Sequence, residues 1–174
     1  LKGGNNNLGV DIFTLIKDVF NINSNMYGNT DEIITLINDN PNILDQVEQN
    51  QYNETPIFKV INYSNVPPPN IGKILINFFI TKNPEIVHQT NTLGETPLFA
   101  AVKNYNIGII NKLIEIGANI NVVNNEGNNI FFYLLNNLGN YFLDTTNNYY
   151  LNFFTNSVIN VIDKDRKSTR LNSS

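Results

Sequence analysis

The sequence predicts an all-α chain, a helical solenoid of about four helix-turn-helix repeats with short hairpin-like loops between them. Three observations lead there. Asn91-Thr92-Leu93-Gly94-Glu95-Thr96-Pro97-Leu98-Phe99 is echoed by Asn124-Asn125-Glu126-Gly127-Asn128-Asn129-Ile130-Phe131-Phe132, with Gly94 and Gly127 33 residues apart. Asn53-Glu54-Thr55-Pro56-Ile57-Phe58 repeats Gly94-Glu95-Thr96-Pro97-Leu98-Phe99. Each opening is followed by apolar residues at helical spacing, and self-similarity at such a period marks stacked supersecondary units.

The third unit shows the plan most clearly. Thr96 is placed as a helix N-cap whose hydroxyl can accept from a first-turn amide. Pro97 then occupies the first helical position, where its missing N–H costs nothing. Leu98, Ala101 and Val102 mark the buried stripe. In the second helix Ile109, Ile110, Leu113 and Ile114 are apolar, while Asn111, Lys112 and Glu115 are polar. Gly117 closes it as a left-handed C-cap, and Ala118-Asn119-Ile120-Asn121 leads away. The expectation is that Leu98, Ala101, Leu113 and Ile114 are nearly fully buried.

The other units vary the plan. In the second, Thr55 to Tyr63 is one helix and Ile71 to Thr81 the other, separated by Val66-Pro67-Pro68-Pro69-Asn70. The lead-ins Asn40-Pro41-Asn42-Ile43 and Asn83-Pro84-Glu85-Ile86 resemble each other. In the first, Gly9-Val10-Asp11-Ile12-Phe13 is a faint copy of the opening, and helices are expected over Val10 to Phe20 and Asp31 to Asn38. In the fourth, they are expected over Asn129 to Asn136 and Asn148 to Val161. The array therefore spans 9–164, with units near 9–49, 50–90, 91–123 and 124–164, after a flexible lead-in over 1–8.

Composition narrows the function. Charged residues make up 15% and hydrophobic ones 41% of the 174 residues, and asparagine, about a fifth of the chain, stands in for the missing charge. Ile, Asn, Phe, Tyr and Lys are the products of AT-rich codons, so the asparagines read as base composition rather than a prion-like tract. The net charge is −4, and no Lys/Arg cluster precedes residue 164, which argues against nucleic acid. The absence of cysteine excludes disulfides, thiolate metal sites and cysteine nucleophiles. The sequons Asn53-Glu54-Thr55 and Asn62-Tyr63-Ser64 are expected by chance in so Asn-rich a chain. Ile71 to Ile80, the longest apolar stretch, is too short to span a bilayer. No signal pattern opens the chain, and an intracellular location, the cytoplasm of a host cell, is expected.

Residues 165–174, Asp165-Arg166-Lys167-Ser168-Thr169-Arg170-Leu171-Asn172-Ser173-Ser174, resemble one reading frame of a sequencing-library adaptor. Such a tail is expected to add nothing to the fold, and the native chain is expected to have continued differently from Lys164. The fourth unit crowds Phe131, Phe132, Tyr133, Tyr149, Tyr150, Phe153 and Phe154, more apolar surface than one contact face needs. An exposed apolar end and concentration-dependent self-association are therefore expected.

On Thr96, Pro97, Leu98, Ala101, Leu113, Ile114, Gly117, Ala118 and Asn121, the third unit resembles an ankyrin repeat. Phe99 replaces the usual histidine, and Tyr105 stands where a glycine normally turns between the helices, a strained arrangement for a non-glycine. The second unit keeps Thr55 and Pro56; the fourth keeps Gly127 but has Asn129-Ile130 for Thr-Pro. The composition further resembles ankyrin repeat proteins of giant viruses of amoebae or of AT-rich protists.

The resemblance implies a non-enzymatic module that binds a protein partner through the hairpin tips and the open side of the first helices. By position these are Gln51, Tyr52 and Glu54; Thr92, Leu93 and Glu95; Asn125, Glu126 and Asn128; and, on the helices, Asn62 and Tyr63, Lys103 and Asn104, Asn136 and Asn137. Tyr52, Tyr63 and Leu93 are the expected anchors, because aromatic and apolar side chains dominate interface energy. No nucleic acid, membrane, small-molecule substrate or cofactor is implied. The alternative is the recognition arm of a larger protein, such as an ankyrin/F-box adaptor of a ubiquitin ligase.

Enzyme chemistry finds little to work with. His88 is the only histidine and reads as a turn or capping residue. Asp11 and Asp18 read as a solvated helix face. Gly3-Gly4-Asn5-Asn6-Asn7-Leu8-Gly9 lacks the Lys-Ser/Thr of a phosphate loop. Ser24, Ser64 and Ser157 have no nearby base, so no nucleophile–base pair can be assembled.

Overall fold

Helix pairs follow one another along the chain: α1 (Ile12–Val19) with α2 (Asp31–Asp39), α3 (Pro56–Tyr63) with α4 (Pro69–Lys82), and α5 (Pro97–Lys103) with α6 (Ile107–Glu115). A further helix opens at 130–134. The structure is a computed structural model that describes residues 11–21, 30–65 and 69–134. The first helices form a continuous row, α3 packing between α1 and α5, and each second helix packs on its own partner. Among the described residues there is no strand, only one antiparallel bridge between Val123 and Asn129. One apolar cluster runs through the stack from Ile12 to Leu134, with Phe58, Phe79 and Phe99 fully enclosed. No single pair could bury that surface alone.

Local chemistry sets the helix ends, though not always as the sequence led us to expect. Asp11 caps α1, its carboxylate accepting from the Phe13 amide at 3.3 Å. Thr55 and Thr96 have the extended backbone of N-caps, but neither hydroxyl caps. Both hydroxyls are buried without a hydrogen-bond partner. The prolines remove one amide, and the threonine carbonyls accept from Phe58 at 3.0 Å and Phe99 at 2.9 Å. The backbone thus closes the first turn itself. α4 begins at Pro69, earlier than expected, because a first-turn proline fits a helix.

Helix α6 ends in a Schellman turn. Gly117 at φ +96° donates to Ile114 at 3.0 Å and Ala118 donates to Leu113 at 2.9 Å. α5 ends the same way, with Tyr105 at φ +54° in the glycine's place and Asn106 donating to Ala101 at 3.0 Å. Leu98, Ala101 and Leu113 are each 0% exposed. Ile114 is only partly buried, a correction with a simple cause: it lies about 100° around the helix from Leu113.

Asparagines, read from sequence as compositional bias, tie neighbouring pairs together. Asn106 caps α6 by accepting from Ile109 at 3.1 Å and donates back to Ser64 Oγ at 2.9 Å. The lead-ins are the 3-10 turns Pro41–Asp45 and Pro84–His88. Asn83 and Gln89 join them by donating to Asp45 at 3.0 and 2.7 Å. In the fourth unit Phe132 is 48% exposed, while Phe131 and Tyr133 pack partly against the core. Residues 1–8, the expected Asn148 to Val161 helix, the remaining aromatics and the tail lie outside the described residues.

Candidate functional site

The hairpin tips are built by three asparagines that sequence reasoning passed over. Asn50 Oδ1 accepts from the amides of Tyr52 at 2.9 Å and Asn53 at 3.0 Å. Asn91 accepts from Leu93 at 2.9 Å and Glu95 at 3.1 Å. Asn124 accepts from Glu126 at 3.1 Å and Asn128 at 2.9 Å. Asn is suited to this because its amide oxygen reaches its own backbone two residues on. The turns close through left-handed residues, Asn53 (φ +47°), Gly94 (φ +72°) and Gly127 (φ +78°). The signal was available, since these asparagines follow the same spacing as the repeats, but the abundance of asparagine hid it.

The tips are strung together in one direction. Thr92 donates its backbone N–H to the Tyr52 carbonyl at 2.9 Å and its hydroxyl to the Gln51 carbonyl at 3.0 Å. Asn125 donates its backbone N–H to Leu93 at 2.9 Å and its side-chain amide to Thr92 at 2.9 Å. Gln51, Thr92, Asn125 and Glu126 are exposed, as are Tyr52 (39%) and Leu93 (38%). Asn128 is half-buried and donates to Glu126 at 3.0 Å.

The helix positions divide differently. Asn62 is exposed and bridges two units, donating to Glu54 at 3.3 Å and accepting from Asn104 at 3.0 Å. Tyr63 is half-buried: its ring stacks on Phe20 with centroids 5.8 Å apart, and Lys59 lies 5.7 Å from the ring centre. It is therefore partly committed to the stack. Asn136 and Asn137 lie outside the described residues.

Glu95 is placed inside rather than on the surface, at 4% exposed. It pairs with Lys103, accepts from Tyr133 Oη at 3.1 Å and lies 3.5 Å from Asn124 Nδ2. The Lys103 ammonium also sits 4.7 Å from the Tyr133 ring centre. Burial and the adjacent Glu95 raise the Tyr133 phenol above its ordinary pKa. Lys59 pairs with Glu48. Glu54, half-buried, is different: desolvation first, then the charge of Glu48, raise its carboxyl above the usual range, against smaller opposing effects of Lys59, Asn62 and Asn91.

The face thus offers amides, carboxylates and two apolar side chains on a hydrogen-bonded row. Among the described residues no His/Cys/Asp/Glu group is placed to hold a metal ion, and no helix is long and apolar enough to cross a membrane. His88 is exposed at the end of its 3-10 turn.

The sequence matches the family described as "Ankyrin repeats (3 copies)" over residues 22–124. No curated protein matches the chain. Among solved structures, one chain of the complex between the Bdellovibrio bacteriovorus predatory endopeptidase Bd0816 and the immunity protein Bd3460 is similar at TM-score 0.51 and 22% identity, covering 70% of this chain and 53% of that one. This chain therefore spans about half the length of that relative. One chain of the complex between the yeast ribosomal protein Rps3 and its chaperone Yar1 is similar at TM-score 0.53 and 18% identity, covering 72% of this chain and 83% of that one. At these identities the likeness is one of fold.

Proposed function

The chain belongs to the ankyrin repeat family, and from that premise we propose that the tip row and the open side of α3 and α5 form its docking face for a protein partner. The family is in general a non-enzymatic interaction scaffold, and this chain is a protein-interaction module of that kind. One observation carries the choice of face: the bonds from Thr92 to Tyr52 and from Asn125 to Leu93 hold exposed Tyr52 and Leu93 at matching places on a fixed row. A preorganised row loses little freedom on binding. The two solved structures described above are complexes of proteins, which supports a protein as the ligand.

Tyr52 and Leu93 are the anchors, with Gln51, Glu54, Thr92, Asn125, Glu126 and Asn128 around them and Asn62, Lys103 and Asn104 on the helices. Tyr63 and Glu95 serve the stack instead. The test places a photo-crosslinking side chain at position 52 or 93 and, as control, at exposed Ile74 on α4. Crosslinks to one protein from 52 and 93 but not from 74 are expected; equal labelling from 74 rejects the face.

We also read units near 9–49, 50–90, 91–123 and 124–164, an intracellular setting and an adaptor-derived 165–174, the composition supporting an AT-rich source such as a giant virus. Deleting 165–174 is then expected to leave the thermal midpoint unchanged, and a clear fall rejects that origin for the tail.

A further inference from the structure

The repeat supplies an internal control for one of its own positions. Glu54 and Glu95 occupy the same place, each directly before Thr-Pro. Over Glu95 the chain provides an ammonium from Lys103, eight residues on, and a phenol from Tyr133 in the next unit. Over Glu54 the corresponding residues are Asn62, eight residues on, and Ala100 in the next unit. Asn62 donates one neutral hydrogen bond at 3.3 Å, the Asn91 side chain supplies a second neutral one, and Ala100 carries only a methyl group.

The nearby lysines do not make up the difference. Lys59 draws the Glu54 carboxyl down, but it is bonded to Glu48, and its effect on Glu54 is smaller than the opposing effect of Glu48; Lys103 is paired with Glu95. Lys17 is on α1, which packs on the far side of α3 from α5. Glu126, exposed at the next tip, adds a second carboxylate beside Leu93, since Asn125 bonds the Leu93 carbonyl. The docking face therefore combines two apolar anchors with the Glu126 carboxylate and with Glu54, which has no lysine of its own and shares the field of Lys59 with Glu48. A half-buried carboxylate is costly to keep without a counter-charge.

We propose that the partner is a protein segment carrying a basic side chain next to an apolar one. The apolar group rests on Tyr52 and Leu93, and the cation completes at Glu54 the ion pair that Lys103 completes at Glu95. The raised pKa of Glu54, set by desolvation and by Glu48, is what a carboxylate short of a counter-charge shows. This inference rests on the docking face described above and adds the chemistry of its ligand.

The test pans a displayed library of random twelve-residue peptides against the full chain and measures the enriched peptides by fluorescence anisotropy. Enrichment of Lys/Arg beside an apolar residue is expected. Asn62→Lys, which supplies the missing ammonium from within, is expected to weaken those peptides at least tenfold while raising the thermal midpoint. Glu54→Gln is expected to weaken them similarly, and added salt to weaken them in the parent protein. No enrichment, enrichment of neutral or acidic peptides, or binding indifferent to both Asn62→Lys and Glu54→Gln overturns the proposal. Tyr52→Ala with Leu93→Ala separates the two readings. If acidic or neutral peptides lose binding to that pair, the face stands and the basic ligand falls. If any enriched peptide ignores the pair, the face falls as well.

Discussion

The backbone N–H of Asn125 donates to the carbonyl of Leu93 at 2.9 Å, repeating the bond from Thr92 to Tyr52 one unit earlier. Each tip is thereby fastened to the one before it, and a short polar side chain adds a second bond in both cases. Removing those side-chain bonds should cost about 1 kcal/mol each, the usual net worth of a hydrogen bond. Thr92→Val and Asn125→Ala test this by denaturant unfolding. Amide exchange at Thr92 and Asn125 should quicken in the same variants; unchanged exchange would mean the backbone bonds alone hold the row.

Gly94 and Gly127 share a left-handed conformation but differ in surroundings. A Cβ on Gly127 meets nothing within 4 Å, whereas one on Gly94 lies 2.5 Å from Asn125 Oδ1. Gly127→Ala should therefore cost only the backbone penalty, about 1–2 kcal/mol. Gly94→Ala should cost more, because it also displaces the Asn125 side chain from its bond to Thr92. Equal losses in urea melts would refute the distinction.

Leu113 is 0% exposed beneath the α5–α6 pair. Leu113→Ala should destabilise the chain by about 2–5 kcal/mol, as core leucine deletions do. Ile114→Ala, at a half-buried site, should cost less; the reverse order in thermal melts would show that α6 is rotated.

Glu54 holds its proton to higher pH in the folded state than in the unfolded one, chiefly through desolvation and then through Glu48. Below the ordinary carboxylate pKa both states are protonated and the residue has no effect. As pH rises toward the raised folded value, the unfolded state loses its proton first, so stability falls. Above that value the loss is complete. Glu54→Gln should thus be more stable than the parent at neutral pH, with the advantage vanishing as pH falls through the window. An advantage that persists at acid pH would assign the effect to something other than this carboxyl.

Much of this was legible in the sequence because it depends on residues close together in the chain. Pro56 and Pro97 mark first turns through their fixed φ, Gly117 marks a helix end through its left-handed backbone, and Leu98, Ala101 and Leu113 mark a buried stripe by period alone. The threonine caps misled for a tertiary reason: burial of Thr55 and Thr96 left their hydroxyls without partners while backbone carbonyls closed the turns. Asn106 looked like base composition until the preceding unit placed Ser64 against it, and Asn124 until the fold brought Tyr133 of its own unit and Glu95 of the preceding one within reach.

Glu54 and Glu95 draw the boundary most sharply. Both stand in the sequence Glu-Thr-Pro, and on that sequence both belong at a tip. The sequence by itself determined the turn, the helix that follows it and the place of each glutamate in its unit, since those are set by φ preferences and hydrogen bonds within a few residues. Only the tertiary structure decided that Glu95 is enclosed and Glu54 half-open. That choice belongs to the next unit in the stack, which presents the ring and hydroxyl of Tyr133 to Glu95 but only the neutral side chain of Asn91 to Glu54, the residue matching Tyr133 there being Ala100.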